Sequence, residues 1–154
     1  MGQQQLLLLV LGIVIVGLAV VVGIQAFSEN KKKANADALV NDAIRIASDA
    51  QAWKLKPAAF GGGADETLNV GFTGLLLGQM GYEVDGAACT AMSAPASSYC
   101  NLNGYFTIAA AQDLIITANS VPIASGGGDL NVVVVTVAGT RPEDISTTIN
   151  AIAP

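Results

Sequence analysis

Two thiols, three adjacent side-chain amides and a scatter of hydroxyls are what this chain offers to chemistry. Cys89 and Cys100 are its only cysteines, with ten residues between them. That spacing fits neither a Cys-x-x-Cys redox pair nor a zinc site, so the sulfurs either bond to each other or stay as free thiols. A position outside the cytoplasm favours the bond. Such a bond stabilises by roughly 3 kcal/mol on loop entropy. Histidine is absent, which removes His-based triads, His-ligated zinc and the haem-attachment motif in one step. Asp65, Glu66 and Asp85 lack the spacing of an EF-hand loop. No Asn-x-Ser/Thr sequon occurs, and the Ser and Thr residues between the cysteines offer only O-linked attachment. Nothing clusters acid, base and nucleophile, so no enzyme activity, cofactor or metal is expected.

The amides are Gln3, Gln4 and Gln5, and they stand directly before the most conspicuous element of the chain. Leu6 to Ile24, LLLLVLGIVIVGLAVVVGI, is nineteen residues without a charge or a polar side chain. As a helix it is roughly 28 Å long at about 1.5 Å per residue, the thickness of a bilayer core. Its tip carries no basic residue and the run exceeds a signal-peptide h-region, so the segment is expected to be retained. The first charge is Glu29, followed by the collar Lys31, Lys32 and Lys33.

Beyond the collar the pattern becomes a helical stripe: Leu39, Val40, Ala43, Ile44, Ala47, Ala50 and Trp53 recur at spacings of three and four. Polar Asn41, Asp42, Arg45, Ser48, Asp49 and Lys54 fill the other side. This predicts an amphipathic helix from about Asn35 to Lys56. With no proline before Pro57, it can join the apolar span in one helix; the alternative is a break near Ser28, Glu29 and Asn30. Within that helix only Phe27 and Trp53 are aromatic, which predicts no continuous aromatic path along it.

After Pro57 the chain turns glycine-rich. Ala58 to Asp65 reads as a loop, Phe72 to Met80 as a short helix or turn, and Tyr82 to Val84 as a weak strand. Gly104 to Ala109, Asp113 to Asn119 and Asn131 to Val137 read as better strands, the last β-branched enough for a central strand covered on both faces. Ser125 to Asp129 supplies the turn before it, and Arg141 to Pro154 is either a short helix or an extended segment. The fold class is therefore α+β: a long N-terminal helix, half apolar and half amphipathic, with a small C-terminal antiparallel sheet. The domains divide as 1–56, a transmembrane and assembly helix, and 57–154, a β-rich head.

The charge is uneven. The formal net charge is -5, yet six of the seven Lys and Arg residues precede Pro57, and Arg141 alone faces eight acids beyond it. That balance argues against a nucleic-acid partner.

A polar tip, about twenty apolar residues, a charged joint, an amphipathic half, a glycine-rich loop and a small sheet with a late cysteine pair: in this order the chain resembles a type IV pilin or pilin-like filament subunit. The resemblance spans the whole chain in architecture and is most specific over the first 55 residues. It implies an extracellular helical homopolymer on the cell surface, inserted in the inner membrane before assembly and handled by pilus assembly machinery. The implied filament core is Leu6, Leu7, Leu8, Leu9, Val10, Leu11, Ile13, Val14, Ile15, Val16, Leu18, Val20, Val21, Val22 and Ile24. The family usually carries a glutamate five residues into the mature chain, thought to pair with a neighbour's terminal amine. Counted from Met1, Gln5 stands there; if Gly2 were instead the family's pre-cleavage glycine, Leu7 would. Gln3, Gln4 and Gln5 are thus expected to act as a neutral registry element, because a buried amide must find a partner.

Physics supports a filament independently: away from lipid, a helix apolar all round must be buried on every side, and a bundle of identical helices does so for each copy. A repeated head-to-tail contact extends it indefinitely. The same fold also suits a pseudopilin of a secretion system. A single-span membrane-anchored binding protein is the rival, since Lys31 to Lys33 after an uncharged tip would hold the large domain in the cytoplasm by the positive-inside rule.

Overall fold

The computed structural model describes residues 2–63, 71–92, 94–120 and 131–151. The turn expected at Ser125 to Asp129 and the end of the loop expected at Ala58 to Asp65 lie outside the described residues. The chain forms two compact units, Met1–Ala34 and Asn35–Pro154.

One helix, α1, runs from Gly2–Leu55, and its assignment is unbroken through Ser28, Glu29 and Asn30. Nothing in that stretch removes a backbone donor; the first proline, Pro57, lacks an N–H and stops it. The final turn closes with the Lys56 amide donating to the carbonyls of Ala52 and Trp53, both at 3.2 Å.

The second unit is built on a five-stranded antiparallel sheet in the order β1-β2-β3-β4-β5. Its strands are β1 (Tyr99–Cys100), β2 (Gly104–Ala110), β3 (Leu114–Ser120), β4 (Asn131–Val137) and β5 (Ile145–Ala151). A short helix, α2 (Ala87–Met92), precedes β1. Each strand pairs with its sequence neighbour, as a meander must when connections are short. The register fixes which residues face the core: Ile116 is opposite Val135 and Ala118 opposite Val133, so alternate residues share one face. That face packs against the second half of α1. Leu39, Ala43, Ile46, Ala47 and Ala50 join Phe106, Leu114, Ile116, Ala118, Val133, Val135 and Val137 in one buried cluster, with Phe72, Leu75 and Leu77 from the connecting segment.

Alanine at three of the five helix positions keeps α1 close to the sheet, and Gly104 completes the fit. A side chain at Gly104 would run into the Asn119 carbonyl and Leu39.

The structure departs from the sequence reading in four places. Ile44 is exposed and Ile46 takes the core position, because the two isoleucines flank a stripe whose centre is set by the sheet. β4 alternates buried and half-buried residues, so it is covered fully on one face only. The weak strand at Tyr82 to Val84 is reduced to a single bridge, Val84 to Tyr99. The tail resolves as both of its alternatives in succession, a 3-10 turn at Pro142–Asp144 followed by β5.

The two margins of the sheet differ. β1 is two residues long and is bridged to Val84. β5 pairs with β4 over seven residues, leaves Ser146 to Asn150 exposed, and has no partner on its other side among the described residues.

Candidate assembly surface

The described part of the first unit, residues 2–34, is helical throughout. All fifteen residues expected to form a filament core are exposed, from 51% at Leu11 to 69% at Leu7, and the best membrane-length window of α1 is 0% buried. An aqueous surface of this kind is unfavourable along its whole length, each Leu, Ile or Val giving up about 1.5 to 3 kcal/mol by not being buried. Gly12, Gly17 and Gly23 have open space where a side chain would stand. In apolar surroundings such positions let a neighbouring helix approach closely. Gln3, Gln4 and Gln5 lie in the first turn and are exposed, where backbone N–H groups have no intrahelical acceptor. At the far end of the unit the Lys31 ammonium sits 4.8 Å from the centroid of the Phe27 ring, a cation–π contact that holds the collar against the helix.

The second unit presents a different surface, fixed by polar bonds between α1 and the sheet. The Asp42 carboxylate accepts from Asn101 Nδ2 and Asn103 Nδ2, both at 2.8 Å. Asn35 Nδ2 donates to the Asn103 carbonyl at 3.0 Å. Inside the β1–β2 turn, Asn101 Oδ1 accepts the amides of Asn103 and Gly104 at 2.9 and 3.1 Å, the Asx geometry that short amide side chains favour. On α1 about two turns further along, the Tyr82 hydroxyl donates to Asp49 Oδ2 at 2.5 Å. Burial, the bond to Asp49 and that carboxylate's charge push the phenol well above the ordinary tyrosine range. Gln51 Nε2 donates to the carbonyls of Gly139 and Arg141, each at 2.9 Å, tying the β4–β5 connection to the helix.

Cys89 of α2 and Cys100 of β1 form a disulfide with their Cα atoms 5.2 Å apart, and no described cysteine is free. The bond fastens α2 to the short β1 margin. Three aromatic residues line up here: Tyr82 stands 4.9 Å from Tyr99, which stands 5.7 Å from Phe106, centroid to centroid. The acids considered for calcium are not brought together: Asp85 Oδ1 instead accepts the Ser97 amide at 2.8 Å, while Asp65 and Glu66 lie outside the described residues.

The Asp42 and Asp49 bonds were not read from the sequence; the one local signal was the Asn-Leu-Asn-Gly run at 101–104, a turn composition. Comparison with known protein families, with curated proteins and with solved structures finds no match. What stands is architecture: a long N-terminal helix with an exposed apolar half, and a small antiparallel sheet whose β1 is tied to α2 by a disulfide, an arrangement compatible with the pilin-like fold.

Proposed function

We propose that this chain is the structural subunit of an extracellular helical filament of the type IV pilus kind, polymerising through its N-terminal helix after a stage in the inner membrane. The observation that carries the reading is the apolar segment Leu6 to Ile24, exposed on every side. Lipid covers it while the chain is inserted. Once the chain leaves the bilayer, only other apolar helices cover it all round, and copies of itself are the supply that scales with each added subunit. The acidic heads keep such a polymer in solution. Electron microscopy of the full chain after detergent dilution tests this: long filaments of uniform width are expected. Short rods only would point to a pseudopilin, and detergent-bound or vesicle-inserted single chains with no polymer would overturn the filament and favour the single-span anchor that the lysine collar allows.

A further inference from the structure

Positive charge gathers directly beyond the apolar run. In the first unit Lys31, Lys32 and Lys33 face Glu29 alone, whereas the chain from Asn35 carries eleven acids against four Lys and Arg. An anionic surface therefore repels the second unit and attracts the collar.

Phe27 and Lys31 give the collar a shape. Both are exposed, and the Lys31 ammonium lies 4.8 Å from the centroid of the Phe27 ring, although its own backbone stands four residues, about 6 Å, further along the helix. The charge is thus folded back towards the apolar run, the direction in which helical side chains lean. With Leu6 to Ile24 filling the hydrocarbon core, the headgroup layer beyond Ile24 is about 5 to 8 Å thick. Phe27 falls inside that layer, about 4.5 Å past Ile24, while the Lys31 backbone, at about 10 Å, falls outside it. Folding back brings the ammonium to the depth of the lipid phosphates. The ring covers one side of it, and its N–H donors remain for phosphate oxygens.

The neighbouring acids leave this charge available. Glu29 is two residues from Lys31, about 160° round the helix, and shares a face with Lys33, four residues on. Asp37, the next acid, is six residues past Lys31 and belongs to the second unit. Continuity favours lipid over a dissolved anion, since Phe27 follows within one turn of a membrane-length apolar surface that is 0% buried.

We propose that Lys31, propped on Phe27, binds the phosphate of anionic phospholipid headgroups and so fixes the depth at which the helix rests in the membrane before assembly. The contact rests on the membrane stage of the filament reading and not on polymerisation.

The test uses the full chain in phosphatidylcholine vesicles, comparing the association of spin-labelled phosphatidylglycerol with that of spin-labelled phosphatidylcholine. The parent chain is expected to prefer the anionic lipid several-fold, and sodium chloride should weaken the preference. Lys31→Gln should lower it about fivefold, the share of one lysine at an anionic surface, and Lys31→Arg should keep it. Phe27→Leu retains the charge but not the ring and should cost about twofold. Lys33→Gln, beside Glu29, should cost less than twofold. Equal association of the two lipids with the parent chain overturns the proposal. So do equal losses for Lys31→Gln and Lys33→Gln, which would leave only a diffuse attraction. Inorganic phosphate that abolishes the preference where sodium chloride of the same ionic strength does not would give the site to the free anion and also overturn it. Filaments from a chain with no lipid preference reject the contact and keep the filament; a preference without filaments keeps the contact and leaves the single-span anchor.

Discussion

Asp49 is a carboxylate on the flank of α1 whose partner, the Tyr82 hydroxyl, arrives from 33 residues further along the chain. Replacing Tyr82 with Phe removes the donor and leaves the carboxylate to partial solvation, a loss of about 1 kcal/mol for a half-buried bond; a denaturation midpoint shifted by that amount, with unchanged slope, is the check. The bond also sets a pH response. Above the ordinary phenol value of 10.0, the unfolded chain releases the Tyr82 proton while the folded chain keeps it. Stability contributed by this group is therefore complete below that pH and falls as the pH climbs towards the raised value of the folded state. Denaturation curves at pH 9 and 11 should diverge less for Tyr82→Phe than for the parent chain. At the other end of the chain, Gln5 is the residue expected to set register between copies. Gln5→Leu should insert normally but assemble poorly or with altered subunit rise, whereas Gln5→Glu should be tolerated if a terminal amine is within reach. Normal yield and rise in Gln5→Leu would show that apolar packing alone sets the register.

Elements explain what could be read in advance. α1 was legible because two patterns, an unbroken apolar run and a stripe at helical spacing, meet with no proline between them. β2, β3 and β4 were legible from β-branched runs between glycine-rich breaks. What escaped depends on partners far away in sequence: Asp42 meets Asn101 and Asn103 across 59 and 61 residues, and no local composition records that. The exchange of Ile44 for Ile46 has the same origin, since a stripe gives the helix period while the sheet decides its centre. Two element-scale outcomes follow. Leu39 is fully buried between α1 and the sheet, so Leu39→Ala should cost about 2 to 5 kcal/mol, seen as a lowered thermal midpoint for the sheet signal in circular dichroism. Reduction of Cys89–Cys100 reopens a loop whose closure stabilises by roughly 3 kcal/mol, so a melt in reductant should move down on the order of 10 °C; an unmoved melt would show that α2 and β1 hold without the bond.

At the scale of the molecule, the two compact units answer to different solvents. In the first unit Leu6 to Ile24 expose apolar side chains, and the described residues of the second enclose a buried core. The unit that cannot be satisfied alone is the one proposed to drive assembly, and in that proposal the acidic unit is what would keep the product dispersed. One further consequence lies at the open margin of the sheet. β5, ISTTINA, has no charge, proline or bulge over its seven paired residues, and among the described residues no strand pairs with its outer edge. Sheet proteins usually set a lysine or proline on such an edge as a gatekeeper. Lacking one, this head should coagulate on warming through edge-to-edge pairing of partly opened molecules, which makes its loss irreversible and dependent on concentration and heating rate. Thr148→Lys places a charge at the centre of that edge, on an exposed position. It should slow the rise of turbidity in a heated sample several-fold while leaving the urea midpoint at room temperature where it was; an unchanged turbidity curve would move the sticky surface elsewhere.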